Sequence, residues 1–266
     1  MGEFMLNDFV IRLHNGNGYF NIESEYGLHL NVDYADYDNN IESYFFDSDY
    51  TDDYKYSNEL NWSINYLFLE IYNGVRILFG DKPFEPMEKN SHLKTFQNHI
   101  EAYSIIDNIQ FKKKNQINDS NFISTLELVL NNKSIRDLVI LLNRIYKKDE
   151  NVLVNYYKII DFYNTYLNLF EKYYYFEKEY LTELRNNKTN LEKYKRITNN
   201  YLSIGLVARH GLQNHAPTKQ KIELDKLLYI CIKSIRIIIK LSFTPLFNFD
   251  NLLILESINK KTKSNK

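Results

Sequence analysis

The sequence has only one cysteine, Cys231, among its 266 residues. It therefore cannot form an intramolecular disulfide, and we expect a reducing, cytoplasmic environment. It also lacks a membrane-spanning run, because the most apolar stretch, residues 227–241, is interrupted by Lys233, Arg236 and Lys240. The first residues carry neither the basic nor the apolar region of a secretory signal. We therefore expect a cytoplasmic protein without membrane contact.

Motifs for metal ions and dinucleotides are missing as well. No group of Cys and His has ligand spacing, and His92 and His99 would lie about 10 Å apart along a helix. Gly16 and Gly18 are followed neither by a third glycine nor by a helix, which a dinucleotide-binding turn requires. The sequence therefore predicts no metal ion and no cofactor.

What the chain does contain is typical of a globular protein with a sizeable core: 44% hydrophobic and 25% charged residues. Its charge is unevenly distributed. Residues 31–60 include nine acidic residues and one lysine, whereas residues 207–266 include eleven basic and four acidic residues. The basic end suits a phosphate-containing partner, although residues 260–266 alone could be a solvated tail. The acidic segment could shield a basic site, recognise a partner, or form a solvated loop.

The N-terminal part has the alternation of β-strands. Apolar residues alternate in segments 8–14, 19–24 and 28–34, and residues 41–47 could add a fourth strand. Residues 15–18 read Asn-Gly-Asn-Gly, which favours a hairpin because these residues tolerate positive φ. We expect a small antiparallel sheet.

Helical periodicity takes over at Leu60 and continues to the C-terminal region. Gly80 and Pro83 should end the first helix, and Ser134 is the predicted N-cap of a later one. Further helices are predicted at residues 91–106, 122–130 and 218–242, and residues 185–200 are predicted to form a turn and a short helix or loop. The fold class is therefore α+β, with a β-rich, acidic portion at residues 1–85 and a helical domain at 86–266.

Residues 151–186 are predicted to form one long helix. About 35 residues of helix would extend about 50 Å, so such a helix would need a partner helix or a second protomer. Aromatic residues recur close to heptad spacing along it, and they form either a buried core or a ladder that stacks on bases.

The most distinctive stretch is residues 201–215, which contains Arg209, His210 and His215 just before the last predicted helix. Histidine titrates near neutral pH and can remove the proton from a ribose 2′-hydroxyl. Arginine offers paired donors to phosphate oxygens. Together they could cleave RNA without a metal ion, helped by the weak anion preference of the N-terminus of the last helix.

Arg209 and His215, with five residues between them in a helical context, resemble the R-x4-6-H motif of HEPN domains. These are helical modules of prokaryotic toxins and antiphage systems, and many are ribonucleases. The resemblance covers roughly residues 119–245. It implies that His215 is the base, Arg209 binds the phosphate, and His210 orients it at a position where the commonest residue is Asn.

The resemblance also implies a composite site in a homodimer. Gln213, Asn214 and Lys219 are further candidates for contacts with RNA. The predicted function is a metal-independent endoribonuclease of a toxin–antitoxin or antiphage system, with an antitoxin or regulatory protein as a further partner. Two alternatives stay open: a non-catalytic HEPN-like module that binds RNA or protein, and a structural protein built on the long aromatic helix. In the plainest alternative, Arg209 and His210 only cap a helix end by binding carbonyl groups.

Overall fold

The computed structural model describes residues 10–13, 26–34, 41–52, 54–86, 96–111, 121–173, 178–212, 216–219 and 221–243. Over these residues the strands are β1 (Ile11–Leu13), β2 (Leu28–Tyr34) and β3 (Ile41–Ser48). The helices are α1 (Asn58–Phe79), α2 (Phe96–Asp107), α3 (Phe122–Asn131), α4 (Lys133–Tyr146), α5 (Val152–Tyr173), α6 (Lys178–Glu192), α7 (Lys195–Thr198), α8 (Tyr201–Ile204) and α9 (Leu224–Ser242). The α+β fold class is confirmed.

The chain divides into two compact units. The first comprises residues 1–76 and 80–115, and the second comprises residues 77–79 and 116–266. By this division α2 belongs to the β-rich unit, whereas the boundary predicted at residue 85 would assign it to the helical domain.

In the first unit the three strands form an antiparallel sheet in the order β1-β3-β2. The strands predicted at 28–34 and 41–47 are confirmed. Residues 11–13 of the first predicted strand are extended, whereas its residues 8, 9 and 14 lie outside the described part of the chain. The predicted strand at 19–24 and the hairpin at 15–18 lie outside the described residues. Strand β3 provides Phe46, which contacts the ring of Tyr72 on α1 at 6.0 Å between centroids.

Helix α1 ends where its sequence predicts. Gly80 has a φ of +91°, a conformation that costs glycine little, and the backbone N–H of Asp81 donates to the carbonyl of Arg76 at 3.0 Å. The chain then returns along the helix, because the side-chain amide of Asn73 binds both the N–H and the carbonyl of Phe84. The second predicted helix begins at Phe96, and residues 87–95 are outside the described part.

The prediction of one continuous helix over residues 151–186 is wrong. Helix α5 ends at Tyr173, and α6 packs antiparallel to it from Lys178 onward. The Tyr163 hydroxyl donates to the Leu184 carbonyl, and the Tyr156 hydroxyl donates to that of Leu191 at 3.0 Å. The chain thus supplies the partner helix that the aromatic stripe requires.

The aromatic stripe of α5 belongs to the core. Tyr156, Tyr163, Tyr166 and Phe170 are all buried, so they cannot form a ladder for bases. Burial raises the pKa of the Tyr156 and Tyr163 phenols well above the ordinary value.

Two local predictions in the helical unit need correction. Asn132, not Ser134, caps α4: its Oδ1 accepts from the Ile135 N–H at 3.2 Å. Ser134 is buried, and its hydroxyl lies 2.9 Å from that of Tyr166. The predicted turn near residue 185 is replaced by α6, which buries Leu184, Asn187 and Leu191 at helical spacing.

Helix α9 completes the unit. It begins at Leu224, six residues later than predicted, and its Lys226, Lys233, Arg236 and Lys240 are exposed as expected. Lys233 forms an ion pair with Glu183 of α6 at 2.6 Å. Cys231 is fully buried, and this burial raises the pKa of its thiol.

Candidate functional site

The Arg209 segment, defined as residues 199–212 and 216–219, follows α7 and is held by hydrogen bonds. Asn200 is its anchor, with only 3% of its surface exposed. Its Oδ1 accepts from the Ser203 N–H at 3.2 Å and caps α8, while its Nδ2 donates to the Ala216 carbonyl at 2.7 Å. The N–H of Thr218 donates to the Ser203 hydroxyl at 2.8 Å. These bonds join the two ends of the segment.

The turn that presents Arg209 starts at Gly205. This glycine has a φ of +65° and is the first residue of a single 3₁₀ turn, Gly205–Val207. The Ala208 N–H then donates to the Gly205 carbonyl at 3.0 Å, and the Arg209 N–H donates to the Thr198 carbonyl at 2.8 Å. The backbone of Arg209 is thereby fixed against the end of α7.

The guanidinium of Arg209 lies on an aromatic ring. Its Cζ is 3.6 Å from the ring centroid of Tyr157 on α5, and the Lys195 Nζ is 5.2 Å from the same centroid. A cation on an exposed ring is stabilised by about 0.5–1 kcal/mol. Arg209 is exposed, and its guanidinium forms neither an ion pair nor a hydrogen bond with another described residue. It is therefore oriented but still able to bind an anion.

The two cations also lie close together. Because both distances refer to one ring centroid, the Arg209 Cζ and the Lys195 Nζ are at most 8.8 Å apart, the sum of 3.6 and 5.2 Å. This separation places two positive charges within about one Debye length at physiological salt. The pair therefore forms a local positive surface.

The other predicted site residues are placed only in part. His210 follows Arg209, is half-buried, and makes no hydrogen bond or ion pair within the described part of the chain. Lys219 is exposed just beyond Thr218. Gln213, Asn214 and His215 lie outside the described residues, so the pairing of Arg209 with His215 stays a prediction.

The anion preference predicted for the N-terminus of α9 stays a prediction. The helix begins at Leu224, with Glu223 before it and Asp225 in its first turn. Each of these acidic residues is paired with a lysine: Asp225 accepts from Lys148 at 2.5 Å, and the Glu223 carboxylate lies 3.8 Å from the Nζ of Lys226. The positive charges described next to each other on Tyr157 are those of the Arg209 and Lys195 side chains.

Tyr157 and Lys195 were not among the predicted site residues. Tyr157 follows the buried Tyr156 and falls outside the apolar stripe of α5, so it is only half-buried. The sequence could have identified Tyr157 as a contact residue, because it lies outside the buried stripe of its helix. It does not indicate which later residue contacts the ring.

The same segment exposes apolar side chains. Leu202, Leu206 and Leu212 are more than half exposed, with Leu206 at 92%, and Val207 is 38% exposed. Over residues 201–212 no side chain is buried. Such a concentration of exposed apolar surface is unusual and is typical of a surface that binds another molecule.

Among the residues described, no group of three His, Cys, Asp or Glu side chains could hold a metal ion. The two residues His29 and Asp49 lie 2.6 Å apart in the β-rich unit. No helix in the described ranges has the length and apolarity needed to cross a membrane. Comparison with known proteins finds no matching family model, no matching curated protein and no matching solved structure.

Proposed function

We propose that the protein is a cytoplasmic, metal-independent endoribonuclease of the HEPN type, acting in a toxin–antitoxin or antiphage system. The observation that carries the proposal is the exposed Arg209 guanidinium, which is held on Tyr157 and unpaired among the described residues. A cation oriented by a ring but not neutralised by a carboxylate suits the binding of a phosphate.

The chemistry needs a base next to this cation. In the proposal, His215 takes the proton of a ribose 2′-hydroxyl, and the 2′ oxygen forms a bond to the adjacent phosphorus. The bond from phosphorus to the 5′ oxygen breaks, and that oxygen takes up a proton from a protonated imidazole or water. Arg209 stabilises the charge on the phosphate oxygens. The products carry a 2′,3′-cyclic phosphate and a 5′-hydroxyl.

The surroundings of Arg209 support an RNA substrate. Lys195 shares the ring of Tyr157, and Lys219 is exposed on the same segment. For single-stranded RNA, the slope of log affinity against log salt concentration becomes steeper by about 0.7 for each phosphate that the protein neutralises. The affinity for RNA should therefore fall steeply with salt.

The exposed leucines support a composite site in a homodimer. Leu202, Leu206 and Leu212 surround the turn that presents Arg209, and packing against a second copy would remove them from water. Two Arg209 segments would then lie together, each contributing one Arg209 and one His215. An antitoxin or regulatory protein could bind the same surface.

The decisive experiment measures cleavage of a labelled single-stranded RNA in EDTA. We expect Arg209→Ala and His215→Ala each to slow cleavage by about 100-fold or more. Arg196→Ala removes an exposed arginine on α7 and is the matched control, with a rate close to wild type. Tyr157→Phe keeps the ring and should retain activity, whereas Tyr157→Leu should lose part of it.

Cleavage that persists in both Arg209→Ala and His215→Ala, or that appears only with added metal, would contradict the proposed mechanism. Wild-type protein that binds RNA without cleaving it, with affinity lost in Arg209→Ala, would instead favour the binding-only HEPN-like module. The exposed leucines suit that second function equally well, because a docking surface needs no catalytic base.

A further inference from the structure

A cavity lies in the helical unit and uses none of the residues of the Arg209 segment. It has a volume of about 330 Å³, within the range of sites for small molecules. Its lining residues come from the end of α1, from α3 and from α9: Leu78, Phe79, Thr125, Arg236, Ile239 and Lys240. It is therefore an independent candidate for a binding site.

The charged part of this cavity is entirely basic among the described lining residues. Arg236 and Lys240 are one helical turn apart on α9, and like charges at this spacing repel each other. The described lining includes no Asp or Glu. An anion between the two side chains would remove this repulsion.

Arg236 is also oriented. Its Nε donates to the carbonyl of Leu78, one of the carbonyls that α1 leaves unpaired at its C-terminus. The two terminal nitrogens of the guanidinium make no hydrogen bond with a described residue and keep their donors for a ligand. Lys240 is positioned by Tyr180, because its Nζ contacts both the hydroxyl and the ring of this residue.

The remaining lining is apolar and includes an aromatic ring. Phe79 is 43% exposed, and its ring centroid lies 5.6 Å from that of Phe122. The side chains of Leu78 and Ile239 are buried beside it. An aromatic group of a ligand could pack on this surface while its anionic group contacts Arg236 and Lys240.

The geometry points to a binding site for a small aromatic anion, meaning a flat apolar group that carries a phosphate or a carboxylate. The site shares no lining residue with the Arg209 segment. It does not depend on the proposed ribonuclease activity.

The test uses four probes on the full-length protein, with binding followed by titration calorimetry or protein-detected NMR. Phenyl phosphate and benzoate each combine a ring with an anion, and comparing them distinguishes a phosphate ligand from a carboxylate ligand. Inorganic phosphate lacks the ring, and phenol lacks the charge. We expect one of the two combined probes to bind at least about tenfold more tightly than either incomplete probe, because both parts contribute.

Variants locate the site. Lys240→Gln removes one cation without touching the Leu78 carbonyl, and it should weaken binding about tenfold. Arg236→Gln should weaken binding similarly, and its thermal unfolding shows whether the α1 contact is needed for folding. Lys226→Gln, an exposed lysine near the start of α9, is the matched control and should leave affinity within about twofold.

The inference is overturned if neither combined probe binds at millimolar concentration, or if phenol binds as tightly as phenyl phosphate and benzoate. It is equally overturned if Lys240→Gln binds the preferred probe as wild type does while Lys226→Gln is also unchanged. Because none of these measurements involves RNA, failure here leaves the proposed ribonuclease function untouched, and the reverse also holds.

Discussion

The helical core and the Arg209 segment are held together by different interactions. In α4, α5 and α9 the stabilising side chains are apolar and fully buried, among them Leu142, Ile160 and Ile235. In residues 201–212 no side chain is buried, and hydrogen bonds from Asn200, Ser203 and the Arg209 backbone fix the chain. The core depends on removing apolar surface from water, and the segment depends on a few directional bonds.

This difference separates stability from the candidate function. Because the Arg209 segment contributes little buried surface, changes on its exposed side should alter binding without unfolding the helices. The segment is also where the exposed leucines occur, together with the Arg209 guanidinium, which pairs with no residue that the structure describes. The helical unit thus presents a weakly buried segment, and substitutions on the surface of this segment can occur without loss of the helical core.

The sharpest test of the comparison replaces one leucine in each region. Leu142 on α4 has no exposed surface, so Leu142→Ala should lower the free energy of unfolding by about 3 kcal/mol through lost burial and a new cavity. Leu206→Ala, at a largely exposed position, should change it by less than about 0.5 kcal/mol. Urea unfolding, monitored by circular dichroism, measures both changes. Equal losses of unfolding free energy in the two variants would contradict the difference between the core and the segment.

Alkaline pH should act on the core through two buried phenols of α5. Burial raises the pKa of Tyr156 and of Tyr163 above the unfolded value of about 10, so their stabilising effect is complete below pH 10 and is lost as pH rises. The loss is about 1.4 kcal/mol per group for each pH unit above 10, or roughly 3 kcal/mol for both at pH 11.

Urea unfolding between pH 8 and pH 11, together with the absorbance of ionised tyrosine, measures this effect. The double variant Tyr156→Phe/Tyr163→Phe should have a flatter dependence of stability on pH, and it controls for the other tyrosines. A wild-type stability that stays constant up to pH 11 would show that these phenols ionise freely.

Asn200→Ala tests the hydrogen bonds of the segment and should have a smaller effect. It removes the cap of α8 and leaves the Ala216 carbonyl without this donor, at a combined cost of about 2 kcal/mol. Faster amide hydrogen exchange at Ser203 and Thr218 should accompany it. Asn190→Ala, at a half-exposed position on α6, is the control; similar losses in both variants would count against Asn200 as the anchor.

The predictable parts of the fold are those with a local signal. Helix α1 ends at Phe79 because the next residue, Gly80, adopts a positive φ at little cost, and β2 shows the alternation of a half-buried strand. The reversal between α5 and α6 has no such signal: neither Gly nor Pro occurs over residues 173–178, and apolar periodicity continues on both sides. Tertiary contacts, not local propensity, decide that break.

The candidate site was predictable to a similar extent. The sequence identifies Arg209 as an unusual residue in a basic region, and the structure presents it as an exposed side chain. Its contact with Tyr157 joins residues 52 positions apart, as their numbers show, and no pattern in one sequence specifies such a pair. Ser134 illustrates the same limit, because its partner Tyr166 belongs to another helix.

The hydrogen bond from Asn200 to Ala216 also affects how well the chain between these residues tolerates insertions and deletions. It fixes the ends of a loop, and the entropy of closing a loop grows only logarithmically with its number of residues. Doubling the stretch between these two residues would cost only about 0.6 kcal/mol for a flexible chain. Insertions and deletions here are therefore inexpensive, and the reach of the Arg209 turn could be altered by chain length as readily as by substitution.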